Sequence, residues 1–348
     1  MNLFLQRCLE LARKGGAVVE PNPRVGAVVV HEGKIIGEGW HQVFGGPHAE
    51  VNAIASVVKK DLLPQSTIYV SLEPCNHHGK TPPCSDLILQ HRIPKVVIGS
   101  LDPNPKMAGR SVNLLRENGV EVEVNPDQGP FQELNAHFWC NQNQHRPFIT
   151  LKWAESQDGF IAGMDEYDSP QPTAISPSFI SRWVHSLRHE HHAILVGKNT
   201  VLTDDPCLTT RKWPGDNPIR IFLDRKLEIS ASAKIYGPGK VIVVNELKNE
   251  EAGDLTYFVP VEEEAFDDLG MLMTELYGRL RIGSILVEGG RNVLEQFISQ
   301  GIWDEAWKNI GPDTLERGVP APKLPEMQEV PNSYGVLWNK KNPALRFP

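Results

Sequence analysis

His48, Glu50, Cys75 and Cys84 are the residues of this 348-residue chain whose types and spacing could do chemistry. One imidazole and two thiolates are ligands that zinc holds well, and a catalytic zinc takes three protein ligands and keeps a fourth position for water. Water held there drops its pKa toward ~7, so hydroxide is available at neutral pH. Glu50 lies two residues beyond His48 and is not needed as a ligand. It can therefore carry protons between that water and a leaving amine. The set points to hydrolytic deamination.

Zinc deaminases follow a His-x-Glu step with two cysteines that have two residues between them. Here eight residues, Asn76 to Pro83, separate Cys75 from Cys84. The insert is polar and basic and is held by Gly79, Pro82 and Pro83. Such an insert can loop over a metal and deliver His77 and Lys80 to a substrate while both thiolates still reach zinc. Cysteine is often a plain interior residue, but five matching elements in chain order favour the metal site.

The elements that must position these groups follow from hydrophobic spacing. Residues 25–30 and 34–40 read as paired strands turned by His31-Glu32-Gly33. A helix is predicted from near His48 to about Lys60, because Val51, Ala53, Ile54, Val57 and Val58 recur at helical spacing. His48 and Glu50 then sit at a helix start, where the positive dipole end lies. A β-rich run over 67–72 delivers Cys75 just past its end, and Cys84 opens a second helix over about 85–91. Strands at 95–99 and 120–124 complete a pattern that argues for a three-layer α/β domain. A helix tail over 135–145 ends at Arg146-Pro147, and the domain boundary is placed there: 1–145 and 146–348.

Four stretches together resemble the bifunctional deaminase–reductase family of riboflavin biosynthesis. They are Pro21-Asn22-Pro23-x-Val25-Gly26-Ala27, His48-Ala49-Glu50, the run from Leu72 to Cys84, and Asp102-Pro103-Asn104-Pro105. The long cysteine insert separates that family from cytidine and tRNA-adenosine deaminases, which share the zinc core. The resemblance implies a cytidine-deaminase-like fold for the first domain. It also implies that Asn22, His41, His77, Lys80, Asp102 and Asn104 hold the base, ribose or phosphate of a substrate.

Composition narrows the classes. The formal net charge is −8, from 35 basic and 43 acidic side chains. Residues 1–145 carry 13 basic and 14 acidic groups, the remainder 22 and 29, so neither half is the basic body that clamps a phosphate backbone. Small-molecule substrates are expected, and no nucleic acid. The odd set Cys8, Cys75, Cys84, Cys140 and Cys207, with a site that needs thiolates, predicts a reducing cytoplasm. The N-terminal residues, with charges at Arg7, Glu10, Arg13 and Lys14, read as an amphipathic helix rather than a signal peptide. No apolar run of about eighteen residues is present, so no membrane span is expected. A homo-oligomer is expected.

The second half alternates strands (148–154, 193–197, 219–223, 241–244, 284–287) with helices near 177–190, 266–280 and 291–300. Its short apolar runs suit buried parallel strands. Glu288-Gly289-Gly290 between a strand and a helix start is a ready anion site. Weight comes from the run Gly197 to Arg211, with Leu151-Lys152-x-Ala154 and Asp158-Gly159. These resemble the reductase domain of the same family, a dihydrofolate-reductase-like α/β domain that uses NADPH. The resemblance implies that Lys152, Arg188, Leu208, Arg211 and Glu288 line a substrate pocket. It implies that Ala154, Thr200, Asp204, Gly290, Arg291, Asn292, Val293, Leu294, Glu295 and Gln296 meet NADPH.

Asp224-Arg225-Lys226 follows a strand at the place where a cofactor-binding sheet meets its ligand. Asp224 there suits the free ribose hydroxyl of NADH, and the basic neighbours suit a 2′-phosphate. The residues leave both open, the resemblance implies NADPH, and Arg225 is predicted to contact the 2′-phosphate. The segment 163–175 departs from the family's Gly-x-Ser-x-Trp-Ile stretch, so those contacts do not transfer. His185, His189, His191 and His192 lack an accompanying thiol or carboxylate pattern and read as an exposed helix face. From residue 311 onward the Pro-rich chain gives no legible element.

The resemblance implies hydrolytic deamination of 2,5-diamino-6-ribosylamino-4(3H)-pyrimidinone 5′-phosphate. Reduction of its ribosyl group with NADPH then gives 5-amino-6-(5-phosphoribitylamino)uracil. The rival readings are a nucleoside or tRNA deaminase with an unrelated second half, and a second domain that only supports assembly.

Overall fold

The computed structural model describes residues 2–76, 82–104, 107–330 and 336–343. The chain divides into two compact units, residues 1–144 and 145–346.

In the first unit Gly26–His31 sits between Lys34–Trp40 and Thr67–Val70, antiparallel to both. Lys95–Ile98 and Glu121–Val124 extend the sheet in parallel to give five strands. Side chains of a strand alternate between its faces. Ala27 and Val29 therefore pack with Ala53, Ile54, Ile88, Val112 and Leu115 of helices Ala49–Ser56, Cys84–Gln90 and Arg110–Glu117. Val28 and Val30 pack with Cys8 and Leu11 of helix Leu3–Arg13 on the other face. Three layers result, as the spacing predicted.

The helix that carries Glu50 lies very close to the sheet. A Cβ on Gly37 would stand 2.5 Å from the Ala53 carbonyl, and one on Gly39 2.4 Å from the Ala53 nitrogen. Only glycine permits that approach. The helix stops at Ser56 rather than running to Lys60, because Val57 is extended (φ −65, ψ 120). The Lys60 ammonium donates to the carbonyls of Ile54 and Ala55, which a longer helix would have used itself.

The second unit holds a ten-stranded sheet. Its order is Glu250–Ala252, Leu255–Phe258, Val241–Val244, Ile219–Leu223, Ala193–Gly197, Ser284–Val287, Phe148–Glu155, Glu305–Ile310, Leu337–Lys341 and Gln328–Glu329. The seven strands from Leu255–Phe258 to Glu305–Ile310 pair in parallel. Ala193–Gly197, Val241–Val244 and Ser284–Val287 are buried along their whole length, as expected of strands covered on both faces. Helices Leu269–Leu280 and Arg291–Ser299 cover one face, and Ser178–Glu190 lies against the other.

One expectation needs correction, and two segments to which no element was assigned acquire one. His185 and His191 are only 3 % and 4 % exposed, so the histidine cluster is not an exposed face. His191 donates to the Leu187 carbonyl (2.7 Å) and meets the Thr150 hydroxyl (2.8 Å), which makes it part of the helix-to-sheet packing. The chain beyond residue 311 adds strands Gly318–Pro320, Gln328–Glu329 and Leu337–Lys341. The departing segment near 163–175 is a hairpin of Phe160–Met164 with Pro170–Gln171, and the Asp165 carboxylate accepts from Tyr167 N and Ser169 N at its turn.

Candidate functional site

His48 is the N-cap of helix Ala49–Ser56 with extended backbone and no side-chain capping bond, so its ring is available. Cys75 follows the strand Thr67–Val70, and Cys84 is the first residue of its helix. These three bring their ligand atoms within 4.8 Å of one another. Both Sγ atoms lie 3.4 Å from His48 Nδ1. Tetrahedral zinc with its usual bond lengths separates such atoms by about 3.6 Å, so the donor set and its spacing fit the ion. The Cys84 N–H donates to Cys75 Sγ (3.3 Å), a bond that orients the sulfur. Hydrogen bonds from Cys84 and His48 hold the Cys75 thiol well below its ordinary range.

Glu50 is 3 % exposed. Burial, seconded by the Cys75 sulfur, pushes its carboxyl up to about 7. It lines a cavity of about 430 Å³ with Asn22, His41, His48, Glu73, Cys75, Asp102 and Asn104. His41 Nδ1 donates to the Pro47 carbonyl (3.0 Å), so Nε2 accepts from the Asn22 amide (3.1 Å). Burial lowers the His41 pKa, and the ring stays neutral. Asp102 accepts from Asn104 N (2.8 Å). His77 and Lys80 lie outside the described residues. Sequence reading gave no role to Glu73, although its motif was in view.

The second unit's cavity is larger, about 1120 Å³, at the carboxyl ends of the parallel strands. Lys152, Ala154, Arg188, Thr200, Asp204, Arg211, Arg225, Glu288, Gly290, Arg291, Asn292, Val293, Leu294 and Gln296 line it. Two expected residues do not. Leu208 is 4 % exposed within an apolar cluster, and Glu295 pairs with Arg291 (2.8 Å) on the helix surface. The segment that departs from the family contributes Pro170, Thr173, Ala174 and Ile175 to the wall.

Arg188 grips Glu288 with Nε and Nη2 (2.8 and 2.9 Å), and its Nη1 donates to the Thr209 carbonyl (3.1 Å). Its fork is spent on a carboxylate, whereas Arg211 is exposed on the cavity wall. Burial works to raise Glu288, but the charges of Arg188 and Lys152 outweigh it and hold the carboxyl at about 2. Burial lowers Lys152. His185 also lines the wall, and burial with the cations Arg188 and Arg211 pushes it down to about 4. No sequence signal singled it out.

A long cofactor fits here. The volume exceeds the ~300–1,000 Å³ of ordinary ligand pockets, which leaves room for NADPH and a substrate. A Cβ on Gly289 would stand 2.4 Å from Val196 Cα, and Gly290 has φ 54 just before helix Arg291–Ser299. Backbone N–H groups at such a start suit a pyrophosphate. Asp224 does not face this cavity: it is fully buried and accepts from Glu228 N (3.0 Å) and Ile229 N (2.8 Å). The NADH-like role considered for it is excluded. Arg225 reaches the cavity beside Glu246 (2.5 Å), with its guanidinium 4.7 Å from the Phe266 ring centroid.

Comparison with known proteins agrees unit by unit. Residues 1–100 match the cytidine and deoxycytidylate deaminase zinc-binding region, and residues 147–330 match the RibD C-terminal domain. Riboflavin biosynthesis protein RibD of Aquifex aeolicus (strain VF5) is 39 % identical, with 91 % of this chain and 88 % of that protein covered. The RibD protein of Escherichia coli (strain K12) is 35 % identical over 90 % and 88 %. A crystal structure from Thermotoga maritima is described as a diaminohydroxyphosphoribosylaminopyrimidine deaminase/5-amino-6-(5-phosphoribosylamino)uracil reductase. It superposes with a TM-score of 0.83 at 36 % identity, covering 97 % of both chains. Both halves match, so a lone deaminase with an unrelated partner domain does not fit. The chain binds zinc and NADPH, and it belongs to the RibD family of riboflavin biosynthesis, with deaminase and reductase activities in one polypeptide.

Proposed function

We propose that residues 1–145 deaminate 2,5-diamino-6-ribosylamino-4(3H)-pyrimidinone 5′-phosphate and that residues 146–348 then reduce its ribosyl group to a ribityl chain. The observation that carries this is the His48, Cys75 and Cys84 triangle with Glu50 buried beside it in one cavity. His48, Cys75 and Cys84 would hold zinc, which when bound supplies an activated water. Glu50 is the catalytic proton carrier, placed between that water and the amine that leaves. Asn22 and the neutral His41 orient the base through their shared bond, and Asp102 and Asn104 hold it from the facing loop. His77 and Lys80 belong to this substrate set by the family motif alone.

In the second unit NADPH, when bound, supplies the hydride. Lys152 and Glu288 position the sugar, and Arg188 keeps Glu288 ionised and fixed. Arg211 takes the substrate phosphate, since a guanidinium fork suits it. Thr200, Asp204, the stretch from Gly290 to Leu294 and Gln296 meet the cofactor, with Ala154 beside them and Glu295 bracing Arg291 from outside the cavity. Arg225 contacts the 2′-phosphate at the cavity mouth.

A cytoplasmic location and self-association belong to the same proposal. Thiolate ligands need a reducing compartment, and light scattering should give a multiple of the 38.8 kDa chain mass. No helix among the described residues is long and apolar enough to cross a membrane. To test the activities, the pure protein is given the pyrimidinone substrate. Ammonia release should precede a fall in NADPH absorbance, and a fall without ammonia would reject the order of steps.

A further inference from the structure

Glu73 is a buried carboxylate, 6 % exposed, with no cationic partner among its described hydrogen bonds. Its Oε2 accepts from the backbone N–H of Asp102 (3.2 Å) and of Gly109 (2.9 Å). Its Oε1 accepts from the N–H (3.1 Å) and the hydroxyl (2.8 Å) of Ser111. A carboxylate offers about four acceptor sites, and here all four are used by one segment. Asp102 lies four residues past strand Lys95–Ile98, and Gly109 (φ 75) and Ser111 are where the segment enters helix Arg110–Glu117. Between these two feet Asp102 accepts from Asn104 N, and the Asn104 carbonyl accepts from Met107 N (2.8 Å) and Ala108 N (2.9 Å).

Glu73 is itself fixed. Its own N–H donates to the Ser100 carbonyl (2.8 Å), and Cys75 lies two residues on. One side chain thus connects the strand end that presents a zinc ligand to both feet of the loop that presents Asp102 and Asn104. We propose that Glu73 is a positioning residue of the deaminase, which sets the distance between the metal site and the substrate-holding loop. The role rests on the reading of Asp102 and Asn104 as substrate contacts. Charge-assisted bonds from N–H groups at a helix start to a buried carboxylate are the strong kind, and so the loop keeps its place before substrate arrives. Preorganisation of this sort is read in substrate affinity.

Glu73→Gln tests it in the full-length protein loaded with zinc. The amide keeps one accepting oxygen and turns an NH₂ toward donors, so the two bonds accepted by the other oxygen are lost. The Michaelis constant for the pyrimidinone substrate should rise roughly tenfold or more, as expected from losing one or two charge-assisted bonds. The turnover number and the zinc content should stay near wild type. Ser111→Ala removes one of the four bonds and should raise the same constant about two- to threefold, which decides the matter if Glu73→Gln does not fold. Asp102→Ala and Asn104→Ala report on the loop itself. If both raise the Michaelis constant while Glu73→Gln and Ser111→Ala do not, the positioning role alone is overturned. If neither does, the substrate-loop reading falls and takes this one with it. Zinc loss in parallel with turnover would overturn the proposal by making Glu73 a support of the metal site.

Discussion

The two units solve their chemistry at different scales. The first gathers three ligand atoms within 4.8 Å at a cavity of about 430 Å³. The second spreads its groups from Lys152 to Val319 around about 1120 Å³. A metal demands fixed donor atoms at short spacing, and helix starts and strand ends next to one another can supply them. A long cofactor and a phosphorylated sugar demand length and charge placement, which only a wide sheet with several loop ends provides. The first site is consequently held by ligands, the second by an ion pair: Arg188 and Glu288 at 2.8 Å, both nearly buried.

That contrast can be broken at its strongest point first. Cys84→Ser should lose zinc and ammonia release together, while NADPH oxidation with already deaminated substrate continues. Metal analysis beside both assays checks it, and full zinc occupancy in the variant would reject the ligand. In the second unit Glu288→Ala leaves Arg188 and Lys152 buried without their carboxylate. Removing one partner of a buried pair costs about 3–5 kcal/mol. The urea midpoint of the reductase unit should drop accordingly with the zinc content unchanged. An unchanged midpoint would mean that the pair does not hold this site together.

A smaller effect sharpens the cofactor end of the comparison. Arg225→Ala should raise the Michaelis constant for NADPH about tenfold, one charge-assisted contact's worth, and leave NADH use unchanged. Its bond to Glu246 makes the arginine a shared cation, so equal loss with both cofactors would show that it serves the fold instead. The smallest effect is one of pH. His185 sits against Arg188, Arg211, Lys212 and Glu288 with its pKa down at about 4 from an ordinary 6.5. The unfolded chain therefore binds a proton that the folded unit refuses. Stability is full above about pH 6.5 and is lost as pH falls toward about 4. His185→Gln should flatten the thermal midpoint over that window, and a parallel decline in both proteins would reject the assignment.

How much was legible follows the same division. The zinc triangle could be read because His48, Cys75 and Cys84 each stand at a strand end or helix start that hydrophobic spacing also marks. The parallel strands of the second unit were legible as short apolar runs. Less visible were features made by pairing across the chain. Arg188 looked like a free substrate contact, but Glu288, a hundred positions later, takes its fork. Asp224 looked like a cofactor contact, but its carboxylate closes its own turn. Helix Ala49–Ser56 ends before its apolar spacing does, because the Lys60 ammonium takes the Ile54 and Ala55 carbonyls. The strands beyond residue 311 alternate too little to be read alone, because Leu337–Lys341 lies between two strands and is only partly buried. His185 and Glu73 carry no motif of their own role.

Glu50→Gln tests the separateness of the two sites most directly. The variant keeps the shape of the side chain and all three ligands, so it should bind zinc at wild-type stoichiometry. Ammonia release should fall at least ~10²-fold, the loss of a positioned acid/base, while NADPH oxidation with deaminated substrate stays at the wild-type rate. Ammonia release near the wild-type rate would contradict the proton-carrier role, and a parallel fall in NADPH oxidation would contradict the independence of the two sites.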